Sequence, residues 1–292
     1  KYEGKAGLRF LFNENKSSDP EQVAEFSSPT LKTSIPGFHL NRKLFDEEIL
    51  MEAERRGATV FRPSTILSSD LKPFDYNFEI EFNQEKIQLR AERILDASGR
   101  FRFLKEELSW NDADIELNTG SIMAHFKGVN TNVFAAQETK NYWKKNALYD
   151  ISYSTLHLMR PYSWWWLIKV DDETTSIGMV YDKTKITIDD PKKYFNNQLK
   201  NDPELAVIVN GATKSEIKVL DSVAYCSEKL VDKGASVIGD SGAFCDPLIS
   251  PGIELICQQV LWLTELYLDD FKQKSFNNKK WSKYEKTFLS AY

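Results

Sequence analysis

Apolar and polar positions change period several times along the chain, and each change marks an element. Lys5–Phe12 (KAGLRFLF) predicts a strand, and Glu14–Pro20 a polar loop. Phe38–Leu40 predicts a short extended piece, with Asn41 as a helix cap. Over about Lys43–Arg56, Leu44, Phe45, Ile49 and Ala53 recur at helical spacing and supply an apolar face. Asp46, Glu47 and Glu48 fall in the first turns and Arg55–Arg56 in the last, as the helix dipole favours. Gly57 suits the left-handed residue that follows a helix, and Ala58–Phe61 then predicts a returning strand. Helix, turn and strand together form a unit of α/β type.

Phe74–Phe82 and Lys86–Leu89 alternate on either side of Asn83–Gln84–Glu85 and predict a hairpin with one wet face. Arg93–Ala97 (RILDA) predicts a buried strand stopped by Ser98–Gly99. From about Ser121 to Tyr181 the pattern is strand-rich and aromatic. SIMAHFKGV, DISYSTLHLM, SWWWLIKV and TTSIGMVY predict successive strands of an antiparallel sheet, with Asp171–Asp172 turning between the last two. Pro191–Lys200 and Asp202–Asn210 predict short helices, and Ala235–Ile238 a last core strand. Pro251–Asp270 predicts a long helix, apolar on nearly every face early on and therefore expected to be buried. A polar tail from Lys272 carries an amphipathic piece near Trp281–Leu289. The pattern is α/β at both ends (α+β overall) with a β-rich insert, as when a nucleotide-binding sheet is interrupted by a substrate-binding sheet.

Composition narrows the classes. The 292 residues are 41% hydrophobic, enough for one large or two intertwined domains. A formal charge of -5 with no Lys/Arg block argues against a nucleic-acid partner. No apolar run reaches membrane-spanning length, and no secretory leader is expected. Cys226, Cys245 and Cys257 form no CxxC pair, so reduced thiols in a cytoplasmic protein are expected. With three histidines at these spacings no zinc site, and no metal site of any kind, is expected. The first residue is Lys1 rather than Met, which suggests a processed or truncated chain, or one whose first residues are not recorded.

Residues 239–252, GDSGAFCDPLISPG, concentrate the candidate chemistry. Asp240 follows the Ala235–Ile238 strand at its carboxyl end, where open α/β sheets bind ligands. A carboxylate there can accept hydrogen bonds from sugar-like hydroxyls. The helix that starts near Gly252 points free N–H groups and a positive dipole end at the same place, suited to an electron-rich ring. The competing reading is a connection whose Asp, Pro and Gly only shape turns.

The GDSGAFCDPLISPG stretch resembles the GD…DP signature of FAD-dependent monooxygenases, halogenases and geranylgeranyl reductase-like enzymes. FHLNRKLFDEEILMEAERRGATV resembles their R-x-x-FD helix with its following GA-x-V, and RILDASGR their DASG strand end. SWWWLIKVDDETTSIGMVY is similar to the W-x-W-x-I-P strand of flavin-dependent halogenases, with Trp164, Trp166 and Ile168 matching. The resemblance runs from about Lys5 to Glu285. It implies a Rossmann-type FAD-binding domain interrupted by an antiparallel substrate domain, as in p-hydroxybenzoate hydroxylase. Residues 36–62, 93–100 and 230–270 would belong to the FAD domain. Residues 1–35, 63–92 and 101–229 would form the substrate domain, and 271–292 a helical tail.

By the same resemblance Asp240 binds the ribityl chain. Gly239 and the backbone after Asp246–Pro247 wrap the flavin, and Gly252 and Ile253 begin the helix aimed at its pyrimidine edge. Arg42 approaches the cofactor, with a surface pair to Asp46 as the rival reading. Val60 lies near the adenine, and Ser98–Gly99 beside the nucleotide half. Lys5 best matches the halogenase catalytic lysine, against a solvent-facing lysine at a strand start. Trp164 and Trp166 would wall flavin from substrate, against plain core filling. Ser250, Pro251 and Gly252 occupy the halide position. His39 lies near the supposed cofactor. His125 and His157 read as hydrogen-bonded core histidines, and Cys245 as a buried apolar thiol.

Four departures shape the expectation. No G-x-G-x-x-G occurs, so the chain reads as a fragment or as lacking its N-terminal part. Pro251 has no N–H for a halide, a loss of about 1.5–3 kcal/mol for one charge-assisted hydrogen bond. Ile249 replaces the glutamate of tryptophan halogenases, which argues against a tryptophan-type acid/base mechanism. Lys169 stands where the W-x-W-x-I strand usually ends in proline. The expected activity is an FAD-dependent oxidation, halogenase- or monooxygenase-like, through reduced flavin and O2. Its substrate is organic and apolar or aromatic, small or carrier-tethered, with a flavin reductase as a possible partner. The alternatives are a prenyl reductase of the geranylgeranyl type and a non-catalytic fragment without cofactor.

Overall fold

The computed structural model describes residues 2–292, which fall into two compact units. One contains the residues up to Ala58 with Asn118–Ser222; the other contains Thr59–Leu117 with Val223–Tyr292. Residues 36–58 thus belong with the strand-rich insert, and the hairpin region 63–92 with the Ala235 strand.

The first unit is built on one large sheet. Its central strands Thr119–Lys127, Thr174–Asp182, Ser163–Lys169 and Ser154–Arg160 are antiparallel neighbours in that order. These are the four strands that the aromatic insert predicts. Gly7–Phe12 then joins parallel to Ser154–Arg160, and Ala24–Pro29 closes that edge. Two-residue alternation sends Leu11, Ile122, Leu156, Leu158, Trp165 and Leu167 to one face. There they pack on the helices Pro191–Asn201 and Pro203–Ile208. Both helices start as their sequences dictate, with Pro in the first turn and an aspartate cap. Asp190 accepts from Lys193 N and Asp202 from Glu204 N and Leu205 N.

The single strand expected over Lys5–Phe12 is broken in two. At fully buried Ala6, whose N–H donates to Tyr153 O at 3.0 Å, the chain leaves one sheet for another. Tyr2–Lys5 pairs with Gly37–Leu40 as a two-stranded ribbon, and only Gly7–Phe12 enters the large sheet. The helix Arg42–Arg55 forms where its pattern places it, with Asn41 at the cap position but making no side-chain cap bond. None of its residues is buried. Its apolar side chains (Leu44, Phe45, Ile49, Leu50, Met51) spread around the axis instead of gathering on one face.

In the second unit Ser64–Lys72, Asp75–Phe82 and Glu85–Ala91 form an antiparallel meander. The last two are the expected hairpin, turned by Asn83–Gln84 with φ of 52° and 67°, the left-handed pair that matches strand twist. Ala58–Phe61 is not a strand, contrary to expectation; the chain stays irregular there before entering Ser64–Lys72. Ile94–Asp96 and Ala235–Val237 run parallel, with Val237 beside Asp96.

The long helix Gly252–Gln273 and the C-terminal helix Asn278–Leu289 cover this pair. Gln259, Leu263, Leu266 and Asp270 face inward from the first, and Trp281, Tyr284 and Phe288 from the second. Trp281 Nε1 donates to buried Asp270 Oδ2 at 2.9 Å, so the tail is part of this core. The long helix is not buried all round, as its composition suggested. Val260, Leu261 and Leu268 are about half exposed or more, and Phe271 is 83% exposed. The fully buried stripe is 259, 263, 266 and 270, and Tyr267 beside it reaches the strands, its hydroxyl 2.5 Å from Ser236 Oγ and donating to Ile94 O at 3.2 Å, because one helix presents one face to one layer.

Candidate functional site

In the first unit the ribbon brings Lys5 and His39 together. Its register pairs Lys5 with Gly37 and Glu3 with His39. Positions 5 and 39 therefore lie diagonally on one face, within reach of long side chains. Burial draws Lys5 out of water and lowers its pKa. His39 is 6% exposed, and its Nε2 lies 3.0 Å from Thr155 Oγ1. Burial, and then the Lys5 charge, lowers its pKa to about 4; the Lys169 backbone pulls the other way. The imidazole is thus neutral at pH 7.

The neighbouring sheet face is aromatic. The Trp164 and Trp166 rings lie 5.9 Å apart on this face, while Trp165 turns to the opposite face and stacks on Phe195 at 5.2 Å. His157 lies between strands, stacked on Phe10 at 4.4 Å and 5.7 Å from Trp164. It is buried, with Nδ1 3.3 Å from Arg9 O. Trp166 Nε1 donates to Ser176 Oγ at 3.1 Å. His125, expected in the core, is exposed, because its strand points it away from the packed face. Lys169 Nζ sits 4.2 Å from the Tyr153 ring centre and 3.8 Å from Asp172. Arg42 pairs with Asp46 at 2.8 Å, both more than half exposed.

In the second unit the parallel strands deliver their carboxyl ends to one place. Gly239 turns the chain with φ of 57°, a conformation for which glycine has no Cβ penalty. Its N–H donates to Gln259 Oε1 of the long helix at 2.9 Å. Any Cβ at this position would lie 2.8 Å from Ile256 Cγ1, so the turn packs directly on the helix. Ser241 Oγ accepts from Gly99 N at 2.8 Å. Asp96 receives Ser98 N at 2.7 Å and Leu104 N at 2.8 Å. Ser98, Gly99, Gly239 and half-buried Asp240 are thereby gathered at the strand ends. Tyr225, absent from the sequence argument, donates its hydroxyl to Asp240 O at 2.5 Å.

The start of the long helix is held just as locally. Asp246 Oδ1 accepts from Leu248 N, and Ser250 N from a left-handed residue (φ 58°) donates to Pro247 O, both at 2.9 Å. Pro251 has helical dihedrals, and its carbonyl takes Leu255 N at 3.0 Å. The Ser250 N–H is thus spent and Pro251 has none. Gly252 and Ile253 stand in the first turn, where N–H groups lack intrahelical acceptors. A Cβ on Gly252 would meet nothing within 4 Å. The first turn of the long helix is open at Gly252, and the Gly239 turn packs on the same helix at Ile256 and Gln259. Val60 is half-buried in irregular chain, and burial pushes the Cys245 thiol up. Among the described residues no group of three or more His, Cys, Asp or Glu could hold a metal, and no helix is long and apolar enough to cross a membrane.

The tryptophan halogenase family profile matches residues 9–292. The chain belongs to this family. It is 28% identical over 236 residues to the tryptophan 2-halogenase of Chondromyces crocatus, covering 77% of this chain and 42% of that protein. It is 23% identical over 283 residues to the 1H-pyrrole-2-carbonyl-[peptidyl-carrier protein] chlorinase of Pseudomonas fluorescens, covering 94% and 58%. The halogenase PltM, solved in complex with phloroglucinol and FAD, superposes with a TM-score of 0.85 at 23% identity over 99% of this chain and 58% of that one. That likeness establishes the FAD-halogenase fold. The chain spans about half the length of the curated relatives it matches.

Proposed function

We propose that this chain carries the flavin-facing and substrate-facing residues of an FAD-dependent halogenase. The observations that support it best are the Gly239–Ser241 turn, which carries Asp240 at the carboxyl end of a parallel strand and packs on the long helix at Ile256 and Gln259, and the open first turn of that helix at Gly252. In this reading FAD, when bound, supplies the reducing electrons that activate O2. The residues of the chain do the rest. Asp240 accepts hydrogen bonds from the ribityl hydroxyls, with Gly239, Ser98 and Gly99 offering close backbone. The first-turn N–H groups of Gly252 and Ile253 face the pyrimidine edge. Asp246 and Pro247 shape the loop that wraps it, and Val60 serves the nucleotide half.

Lys5 is the catalytic candidate. Its ammonium, half-withdrawn from water, would donate a hydrogen bond to an oxidised halogen species on its way to substrate. Neutral His39 adds no competing charge. Trp164 and Trp166 form an apolar wall that keeps water from that species. Of the halide candidates Ser250, Pro251 and Gly252, only Gly252 offers a free N–H, which favours weak halide binding. With Ile249 in place of a carboxylate, substrate deprotonation falls to the substrate's own acidity, as in phenols and pyrroles. The chlorinase relative is named for a pyrrole on a peptidyl carrier protein, so a carrier-tethered aromatic joins free small molecules as a substrate class. An external flavin reductase would complete the cycle, and three free thiols suit a cytoplasmic setting.

The test is to load the protein with FAD, remove free cofactor, and add reductant, O2, bromide and a phenol or pyrrole. Mass spectra are expected to show bromine replacing hydrogen. Failure to retain flavin removes the reading. Retained flavin with only oxygenated product moves it to the monooxygenase branch.

A further inference from the structure

Asp240 is held from behind by a residue to which no role has yet been given. Tyr225 lies on the short strand Tyr225–Cys226, paired antiparallel with Ala243–Phe244. Its hydroxyl donates to Asp240 O at 2.5 Å. Two guanidinium groups lie over its ring, Arg100 at 4.8 Å and Arg102 at 4.4 Å from the centre. Each is anchored elsewhere. Arg100 donates two hydrogen bonds to Val223 O, at 3.0 and 2.7 Å, and also lies over Phe244. Arg102 donates to Ser227 Oγ at 2.7 Å and pairs with Asp112. A ring fixed in this way has little freedom, and cation–π contact adds to its packing.

The hydroxyl stays a donor. Burial pushes its pKa up to about 12, against the opposing pull of Arg100. Both peptide planes flanking Asp240 are then pinned. Gly239 O accepts from Gly242 N at 2.9 Å on one side, and Asp240 O accepts from Tyr225 on the other. With its backbone fixed, the direction in which the Asp240 side chain leaves the chain, along Cα–Cβ, is set.

We propose that Tyr225, clamped by Arg100 and Arg102, is a positioning residue that aims the Asp240 carboxylate at the ribityl hydroxyls of the flavin. This rests on the flavin reading above. A carboxylate aligned in advance loses less entropy on binding than one that must find its partner.

The experiment compares riboflavin with lumiflavin, which has the same ring and no ribityl chain. Dissociation constants are measured by fluorescence quenching on the full chain and on Tyr225→Phe, which keeps the ring under both arginines and removes only the hydroxyl. The wild-type chain binds riboflavin more tightly than lumiflavin. Tyr225→Phe loses about tenfold in riboflavin affinity, on the order of one aligned hydrogen bond, and leaves lumiflavin unchanged. Three results overturn the proposal in distinguishable ways. If the wild-type chain binds neither probe, the flavin reading itself falls. Discrimination between the probes that Tyr225→Phe leaves intact removes the positioning role while the flavin reading stands. An equal loss for both probes makes Tyr225 a structural residue only.

Discussion

His39 Nε2 lies 3.0 Å from the Thr155 hydroxyl, and this bond ties the ribbon strand Gly37–Leu40 to the large-sheet strand Ser154–Arg160. The imidazole takes part in it neutral, its pKa lowered to about 4 from 6.5, chiefly by burial. Between those two pH values the unfolded chain binds a proton here that the folded chain does not. Stability therefore rises with pH across this window and falls as pH drops from about 6.5 toward 4. The loss approaches about 3 kcal/mol at the acid end, with 1.36 kcal/mol for each pH unit. His39→Gln can still bond Thr155 but does not titrate. Urea midpoints of the two proteins across this range are expected to converge at low pH. Parallel curves would show that His39 is not the titrating group.

Asp240→Ala is expected to lower flavin affinity about tenfold or more while the thermal midpoint of the flavin-free protein moves little. Hydrogen bonds of the turn through the Gly239 N–H, the Ser241 hydroxyl and the Asp240 backbone carbonyl survive the substitution. A charge-assisted bond to the ligand is worth about 1.5–3 kcal/mol. Unchanged flavin retention after gel filtration would remove Asp240 from the site.

The two halves of the site were legible to different depths. Strand alternation alone put Trp164 and Trp166 on one face and Trp165 on the other, because the strand period admits no other arrangement. The Gly239 turn and the helix that Pro251 opens were readable because glycine and proline restrict the backbone locally. Ser64–Lys72 was not readable: STILSSDLK is mostly exposed and has no apolar face to show. Tyr225 was hidden for another reason. Its partners Arg100, Arg102 and Asp240 lie in and beside two short turns that tertiary packing, not sequence spacing, brings to it, and a lone tyrosine carries no local signal. The break at Ala6 was likewise set by a distant acceptor, Tyr153 O.

Gly178 faces Trp166 across the Ser163–Lys169 and Thr174–Asp182 pair. A Cβ there would stand 2.3 Å from Trp166 Cζ2 and 2.7 Å from Met123 Cβ. Gly178→Ala is expected to push the indole out of the wall and cost about 1–3 kcal/mol, as overpacking does. Adding Trp166→Phe should recover part of that loss, since the smaller ring vacates the clash. Denaturation midpoints of the single and double variants decide it; no recovery would place the strain at Met123 instead.

Pro251 decides how well the site can hold a halide. Its φ of -76° and ψ of -15° are helical values that any residue adopts, so Pro251→Ser restores an N–H without asking the backbone to move. The substitution gives up about 0.4–1 kcal/mol of stability through the freer unfolded chain. In return it places a second first-turn N–H beside that of Gly252, where the space is open. With charge-assisted bonds at about 1.5–3 kcal/mol, bromide affinity in the flavin-loaded protein is expected to rise by about ten- to a hundredfold. Quenching of flavin fluorescence by bromide reads this directly. Equal quenching curves for Pro251→Ser and the parent would mean that an N–H at position 251 has no anion to hold, and would leave oxygen transfer as the chemistry of this site.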